Sequence, residues 1–156
     1  MALQDLKAQY EVLRKKYSLP EFIEVNRIFE IEKIDKESEI LLKVIRRVIM
    51  EKVVNFLGFI EMLLNPVNIP RVYMGYIRGI AQSDRKSIEK IYNNLSELNL
   101  KALHLEVEYS EKGEAELIKE ICKAWNDLKP DFKLIFENIN KAWSANETRK
   151  ERSYFG

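Results

Sequence analysis

The chain has 156 residues, a length that suits one domain with a single hydrophobic core. Its 26 basic and 25 acidic residues nearly cancel, so no overall charge attracts nucleic acid or a membrane, and 46% hydrophobic content argues against a disordered chain. The single cysteine excludes an intramolecular disulfide, and the longest uncharged apolar run, residues 53–60, is too short to span a bilayer. Charged residues begin too early for a secretory signal, so we expect a cytoplasmic protein without membrane contact.

Two short helices are predicted at the start of the chain. Apolar residues recur at steps of three and four over residues 3–17, which is the spacing of one helical face. Ser18 and Glu21 then have the spacing of a capping box, with Pro20 in the first turn of a second helix. This second helix has apolar residues on one side over 22–34, and we expect it to pack across the others.

A long central helix is predicted from Asp35, its expected N-cap, to about residue 65. Gly58 lowers the helix propensity, and we expect it to allow a close helix crossing. Pro66 and Pro70 end the helix because each lacks a backbone N–H. The broad apolar face of this helix contains Leu41, Val44, Ile45, Val48, Ile49, Phe56, Ile60 and Leu63.

The Arg/Tyr segment, residues 71–82, lies in a stretch, 62–83, that has no acidic residue. Guanidinium groups beside tyrosines can hold phosphates and stack bases, so the segment is a candidate nucleic-acid or anion surface. The favoured interpretation is a short packing helix whose Tyr and Ile residues are core and whose arginines face solvent, with Gly75 and Gly79 allowing close helix contact, because basic patches without a known motif are weak signals. The candidate contact residues are Arg71, Tyr73, Tyr76 and Arg78, joined by Arg46 and Arg47 of the central helix.

A second long helix is predicted from Ser83 or Asp84 to Tyr109. Residues 103–109, LHLEVEY, alternate as a half-buried strand would, but the preceding residues keep a helical period and no second strand candidate exists, so helix is favoured. His104, the only histidine, would have to serve any Ser-His-Asp or Cys-His catalysis. A metal site at His104 would have neither several thiolates nor a second imidazole as ligands. We therefore predict no catalytic residue, metal site or cofactor.

A cluster of glutamates spans residues 106–120. It is a candidate acidic face for a basic partner, and the alternative is a solvated helix start, where acidic residues also favour the helix dipole. Solvation is the favoured interpretation because helix starts commonly collect acidic residues. The candidate partner-binding residues are Glu106, Glu108, Glu111 and Glu114.

The last part of the chain is predicted to form two helical segments after a turn at SEKGE, with Pro130 kinking or interrupting them. Cys122 lies on the apolar face of the first segment, where a buried thiol is inert. The helical domain is expected to cover 1–146, and 147–156 lacks apolar periodicity and is expected to be a flexible tail.

Three stretches, SLPEFIEVNRIFEIE, ESEILLKVIRRVI and EAELIKEICKAWNDLKP, resemble a small all-helical family of archaeal proteins that has no assigned activity. The resemblance covers most of the chain and rests on amphipathic rather than chemical motifs. It implies an all-α fold and a cytoplasmic archaeal protein, and it supplies no functional residues.

These patterns together predict an all-α, single-domain helical bundle of about six helices, with two long antiparallel helices in the core. The predicted function is a non-catalytic helical module that binds a protein partner or a second copy of itself, since so long an apolar helix face can exceed what one small domain covers. Nucleic-acid binding through the Arg/Tyr segment is the alternative, and an enzyme is the least favoured class.

Overall fold

The computed structural model describes residues 2–35, 40–80 and 82–154, except for the side chains of residues 151, 153 and 154. The fold is all-α, as predicted, and these residues contain six α-helices, one 3₁₀-helix and no β-strand. The α-helices are α1 (Leu3–Tyr17), α2 (Phe22–Phe29), α3 (Leu41–Leu64), α4 (Arg71–Arg78), α5 (Gln82–Val107) and α6 (Glu111–Tyr154). The 3₁₀-helix is Ile31–Lys33.

The chain divides into two compact units, each formed by two separate stretches of sequence. The first unit is Met1–Phe56 with Leu95–Asn126, and the second unit is Leu57–Asn94 with Asp127–Gly156. The first unit has an aromatic cluster in its core, where Trp125 lies edge-on to Phe29 and Phe56 with ring centroids 5.6 and 5.0 Å away. The largest fully buried apolar side chains of this unit are Leu6, Tyr10, Ile31, Leu42, Ile45, Ile49, Leu95, Ile118 and Ile121.

In the second unit α5 and α6 are antiparallel, because residues later in α5 contact residues earlier in α6. In the second unit, Asp84 bonds to Asn138 at 2.8 Å while Lys90 bonds to Asp131 at 2.6 Å. In the first unit, α3 runs parallel to α6, since its contacts progress from Arg46–Glu114 to Phe56–Trp125. In the first unit α5 is also antiparallel to α6, since Lys101 bonds to Glu120 while Glu106 shares Arg46 with Glu114. The helices α3 and α5 are therefore antiparallel there, as predicted.

The predicted start signals of α2 and α3 need correction. Ser18 does not cap α2, because it ends α1 in the left-handed region with φ 54° and ψ 47°. The N-cap of α2 is Glu21, whose side chain makes no cap hydrogen bond, so the capping box is absent. Asp35 was expected to cap α3, but α3 begins at Leu41, and the predicted start at 36–39 lies outside the described residues.

The helix α6 continues through Pro130, so the predicted interruption is wrong. Proline removes one backbone hydrogen bond, yet Pro130 itself is exposed and the neighbouring Leu128 and Phe132 are 1% and 5% exposed. Burial on both sides of the proline thus keeps one helix. The helix also extends past the expected domain end at 146 to Tyr154. Residues 147–150 are all exposed, so this part of the helix buries no apolar face. The sequence therefore has no apolar periodicity there that would predict the extension.

Candidate interaction surface

An ionic cluster in the first unit joins α3, α5 and α6. The Arg46 guanidinium donates to both carboxylate oxygens of Glu114 at 2.7 and 3.0 Å. Its third donor, Nη1, reaches Oε1 of Glu106 at 2.8 Å. Arg46 is 2% exposed and Glu114 is 0% exposed, so each charge depends on the other for its stabilisation in the protein interior.

The outer part of the same cluster is centred on Glu106. Arg47 donates to both of its carboxylate oxygens at 2.9 and 2.7 Å, and Lys43 Nζ lies 3.3 Å away. Hydrogen bonds from Arg47 and then Arg46 hold the pKa of the Glu106 carboxyl far below its usual range. The two arginines are therefore engaged by carboxylates of their own chain. Burial of Arg46 contradicts its predicted place on an anion surface, whereas the same role for Arg47, whose side chain is 57% exposed, stays a prediction.

The predicted acidic partner face is also largely occupied. Glu106 and Glu114 belong to the ionic cluster, and the Glu111 carboxylate accepts from Lys16 at 3.0 Å and from the Tyr17 hydroxyl at 2.6 Å. These bonds hold the pKa of Glu111 below its usual range, with the Tyr17 hydroxyl as the larger cause. Within the part of the chain that the structure describes, Glu108 is the member of the set that makes no side-chain hydrogen bond or ion pair. Three of the four glutamates are thus engaged by residues of their own chain, and the acidic partner face stays a prediction.

Residues 71–78 of the Arg/Tyr segment form α4, in the second unit. Tyr76 is 4% exposed and its hydroxyl donates to Asp84 at 3.1 Å. Tyr73 is half-buried with its ring 5.5 Å from Phe59. Arg71 and Arg78 are exposed, and neither forms an ion pair among the described residues. The tyrosines therefore pack inward and only the arginines remain available to a ligand.

The two glycines of this segment differ. A Cβ on Gly75 would lie 2.1 Å from Nδ2 of Asn146 and 3.5 Å from the Ala142 carbonyl oxygen, so the close approach of α4 to α6 that the packing interpretation expects is present there. A Cβ on Gly79 would meet only the carbonyl oxygen of Gly75, in its own helix. Close helix contact thus depends on Gly75 and not on Gly79.

His104 and Cys122 lie in opposite environments. Residues 103–107 form the last turns of α5, as predicted, and His104 is exposed on it. Cys122 is buried, and burial raises the pKa of its thiol to about 12, which keeps it protonated at neutral pH. Among the described residues, no three His, Cys, Asp or Glu side chains lie close enough together to hold a metal ion.

A shallow pocket of about 330 Å³ opens on the first unit between α1, the start of α3 and the chain that follows α5. Its walls are mainly apolar, and its carboxylate, Glu111, is the one engaged by Lys16 and Tyr17. The residues along the pocket are Gln9, Val12, Leu13, Ile40, Leu41, Leu42, Tyr109 and Glu111. This lining offers mainly apolar contact area.

The outer face of α5 carries the most continuous exposed apolar surface on any one helix of the first unit. Leu100, Leu103 and Val107 are 66%, 55% and 90% exposed. Their spacing of three and four residues places them in one row, which we call the outer strip. Leu98, Ala102 and Leu105, at most 8% exposed, lie on the opposite side of the helix and form its core face. The second half of α5 thus has two apolar faces.

The outer strip was missed in the sequence because LHLEVEY was analysed for strand alternation and for the core face of the helix. The signal that reveals it is the 100, 103, 107 spacing itself, a second helical row beside the row of buried residues. The exposed face of α3 differs, since the exposed Val54 has Glu51, Asn55 and Gly58 as its surface neighbours on the helix. An isolated exposed valine of this kind is ordinary for a globular protein.

None of the helices in the described ranges is long and apolar enough to cross a bilayer. Comparison with known proteins found no matching family model, no similar curated protein and no similar solved structure. The archaeal-family resemblance therefore stays a prediction, and the arguments about function rest on the geometry of the chain.

Proposed function

We propose that the chain is a non-catalytic helical interaction module that self-associates through the outer strip of α5. The observation that supports this proposal is the row Leu100, Leu103 and Val107, more than half exposed at each position. Burying apolar surface contributes about 25 cal/mol per Å², so this row favours docking over hydration.

A second copy of the chain is the occupant that best fits the row. A twofold axis lets one apolar row cover an identical one, so no other surface has to supply the match. The flank beside the row carries both an acidic residue, Glu97, and an imidazole, His104, which gives the surface polar groups that can pair with themselves across the axis. Like charges therefore need not oppose each other in the dimer.

The size of the strip sets the expected affinity. Its seven-residue span covers about 10 Å of helix axis at 1.5 Å per residue. Standard interfaces bury roughly 800 Å² per partner, and a strip of this length lies well below that class. We therefore expect a monomer–dimer equilibrium that depends on protein concentration, not an obligate dimer.

Size-exclusion chromatography with light scattering over a wide concentration range tests the proposal. We expect the mass to rise from 18.5 kDa towards twice that value as concentration increases. Leu103→Glu places a charge in the strip and should abolish the rise, whereas the matched control Val54→Glu, on α3, should leave it unchanged. A mass of 18.5 kDa at every concentration would remove the proposal.

Nucleic-acid binding through the Arg/Tyr segment remains the alternative, supported by Arg71 and Arg78, which are exposed in a stretch without acidic residues. It predicts affinity for short RNA or DNA that falls steeply with salt. The measurement is fluorescence anisotropy at low and moderate salt, comparing a variant with Arg71→Ala and Arg78→Ala with a control that replaces the exposed Arg27 of α2 by Ala. Binding lost only in the double variant would favour this alternative.

A further inference from the structure

We infer that two copies of the chain pair their α5 helices antiparallel, with Leu100 of each copy against Leu103 of the other and Glu97 of each opposite His104 of the other. This inference rests on the proposed function, because it specifies the partner and the register of the same strip. The argument uses the heptad positions of α5 and the charges beside the strip.

The strip residues define the heptad. Leu100, Leu103 and Val107 occupy the positions a, d and a of a helix-pairing repeat. In an antiparallel pair the a residues of one helix pack against the d residues of the other. Centring the pair between residues 101 and 102 therefore forms two identical layers of Leu100 on Leu103, and it brings Val107 over the small Ser96, the preceding d residue, of the second copy.

Polar groups on one side of the strip complement each other in this register. Glu97 and His104 are both e positions, and e faces e in an antiparallel pair, so each Glu97 lies opposite the His104 of the second copy. The Glu97 side chain is 68% exposed and has one ion-pair partner, Lys101, at 3.0 Å. Its carboxylate retains capacity for another donor, and an imidazole N–H can supply it.

The other side of the strip opposes no like charges in this register. Asn99 and Glu106 are g positions, so the register places the Asn99 amide of each copy near Glu106 of the other. Glu106 is 33% exposed at the edge of the ionic cluster, and its oxygens already accept from Arg46, Arg47 and Lys43, so the neutral Asn99 amide lies beside it without opposing a like charge. Neither side of the strip thus brings two charges of one sign together.

The residues beside the strip make two other arrangements of the helix pair less favourable. An antiparallel pair shifted to place Leu103 on Val107 would bring His104 of each copy opposite His104 of the other, so that both Glu97–His104 contacts are lost. A parallel pair would put His104 beside Asn99 of the second copy, so that both Glu97–His104 contacts are lost. The flanks therefore select one register among the three that the apolar row permits.

Mixed cysteine cross-linking tests the register. Tagged Leu100→Cys and untagged Leu103→Cys are mixed and mildly oxidised, with Val54→Cys as a control for random collisions. Burial raises the pKa of the native Cys122 thiol to about 12, so it does not compete. We expect the 100–103 heterodisulfide to exceed either homodisulfide several-fold, because identical positions are offset by about 4.5 Å along the helix axis.

A charge exchange tests the flanking pair. Glu97→Lys should raise the dimer dissociation constant about three- to tenfold, because two such contacts form per dimer. Adding His104→Glu should restore the affinity, since residues 97 and 104 lie about two helical turns apart within one chain and can meet only between copies. Circular dichroism of each variant checks that the monomer remains folded.

The outcomes separate the inference from the proposed function. Homodisulfides without the heterodisulfide, in a protein that light scattering shows to be dimeric, would overturn the antiparallel register and leave self-association standing. Failure of His104→Glu to restore the affinity of Glu97→Lys would also overturn the inference. A monomer at all concentrations would overturn both.

Discussion

The two units of the chain bury polar side chains by different means. In the first unit a full ion pair is buried, since Arg46 and Glu114 are 2% and 0% exposed and bonded through two hydrogen bonds. In the second unit a single carboxylate, Asp84, is 5% exposed and accepts from two neutral groups, the Tyr76 hydroxyl and the Asn138 amide. The first unit balances a buried charge with an opposite charge, whereas the second unit stabilises a buried carboxylate with hydrogen bonds from neutral groups.

This difference shows what each interior requires of its residues. A buried charge pair is compensated only while both members are present. Asp84 lies in the first turn of α5, where the helix dipole favours a negative charge, and it needs only donors that stay protonated. Burial, and then the Asp84 charge, raise the pKa of Tyr76 well above its usual range, so its hydroxyl remains a donor. The first unit should therefore be more sensitive to loss of one partner than the second.

Glu114→Ala should have the largest effect of any change to these groups. It leaves the Arg46 guanidinium buried with only Glu106 as a partner, and removal of one member of a buried pair costs about 3–5 kcal/mol. Urea denaturation measures the loss in the free energy of unfolding. The exposed neighbour Glu116, changed to Ala, is the control and should cost about 0.5 kcal/mol or less. A loss below about 1 kcal/mol for Glu114→Ala would show that the cluster rearranges, and would contradict the comparison.

Asp84→Ala should have a smaller effect, of about 1–3 kcal/mol, because it leaves a buried hydroxyl and a part-buried amide without their acceptor but no buried charge. Asp84→Asn keeps one acceptor oxygen and should cost less than the alanine change. Glu89→Ala, on the exposed face of α5 in the same unit, is the control. Denaturation curves of these variants and of Glu114→Ala compare the loss in the free energy of unfolding between the two units. A larger loss for Asp84→Ala than for Glu114→Ala would contradict the expected order.

The helices were predictable from the sequence because apolar residues at helical spacing report a buried face without any knowledge of its partner. The partner of a polar residue is not encoded in this way. Arg46 and Glu114 are 68 positions apart, and nothing local distinguishes Arg46, which is buried, from Arg47, which lies at the surface. The prediction that Arg46 joins the Arg/Tyr segment therefore rested on charge alone. It did not include the carboxylates of Glu106 and Glu114, which the fold places beside Arg46.

The same limit applies to the candidate surface. The sequence contains the apolar row Leu100, Leu103 and Val107 at helical spacing, but a row of this kind normally indicates a core face. Only the position of the helix in the fold shows that Leu98, Ala102 and Leu105 take the core and leave the other row outside. Tyr76 is the opposite case, a candidate contact residue whose burial agrees with the packing interpretation of its segment.

Two glycines give the smallest and most direct test of what the sequence alone leaves open. Gly58 was expected to allow a close helix crossing, yet a Cβ there would meet nothing within 4 Å. Gly113 was expected in a turn, but it lies in the first turn of α6, where its N–H donates to the Ser110 hydroxyl. A Cβ on Gly113 would come within 2.8 Å of Cδ2 of Leu105, whose side chain is almost fully buried.

Opposite signs are therefore expected for the same substitution. Gly58→Ala should raise the free energy of unfolding by about 1 kcal/mol through helix propensity, because the methyl group enters open space. Gly113→Ala should lower it by about 1 kcal/mol, because Leu105 has to repack and the cost of overpacking exceeds the gain in propensity. Both values come from urea denaturation of the two variants beside the parent chain. Stabilisation by both substitutions would mean that Leu105 yields freely and that the start of α6 is less tightly packed than its geometry indicates.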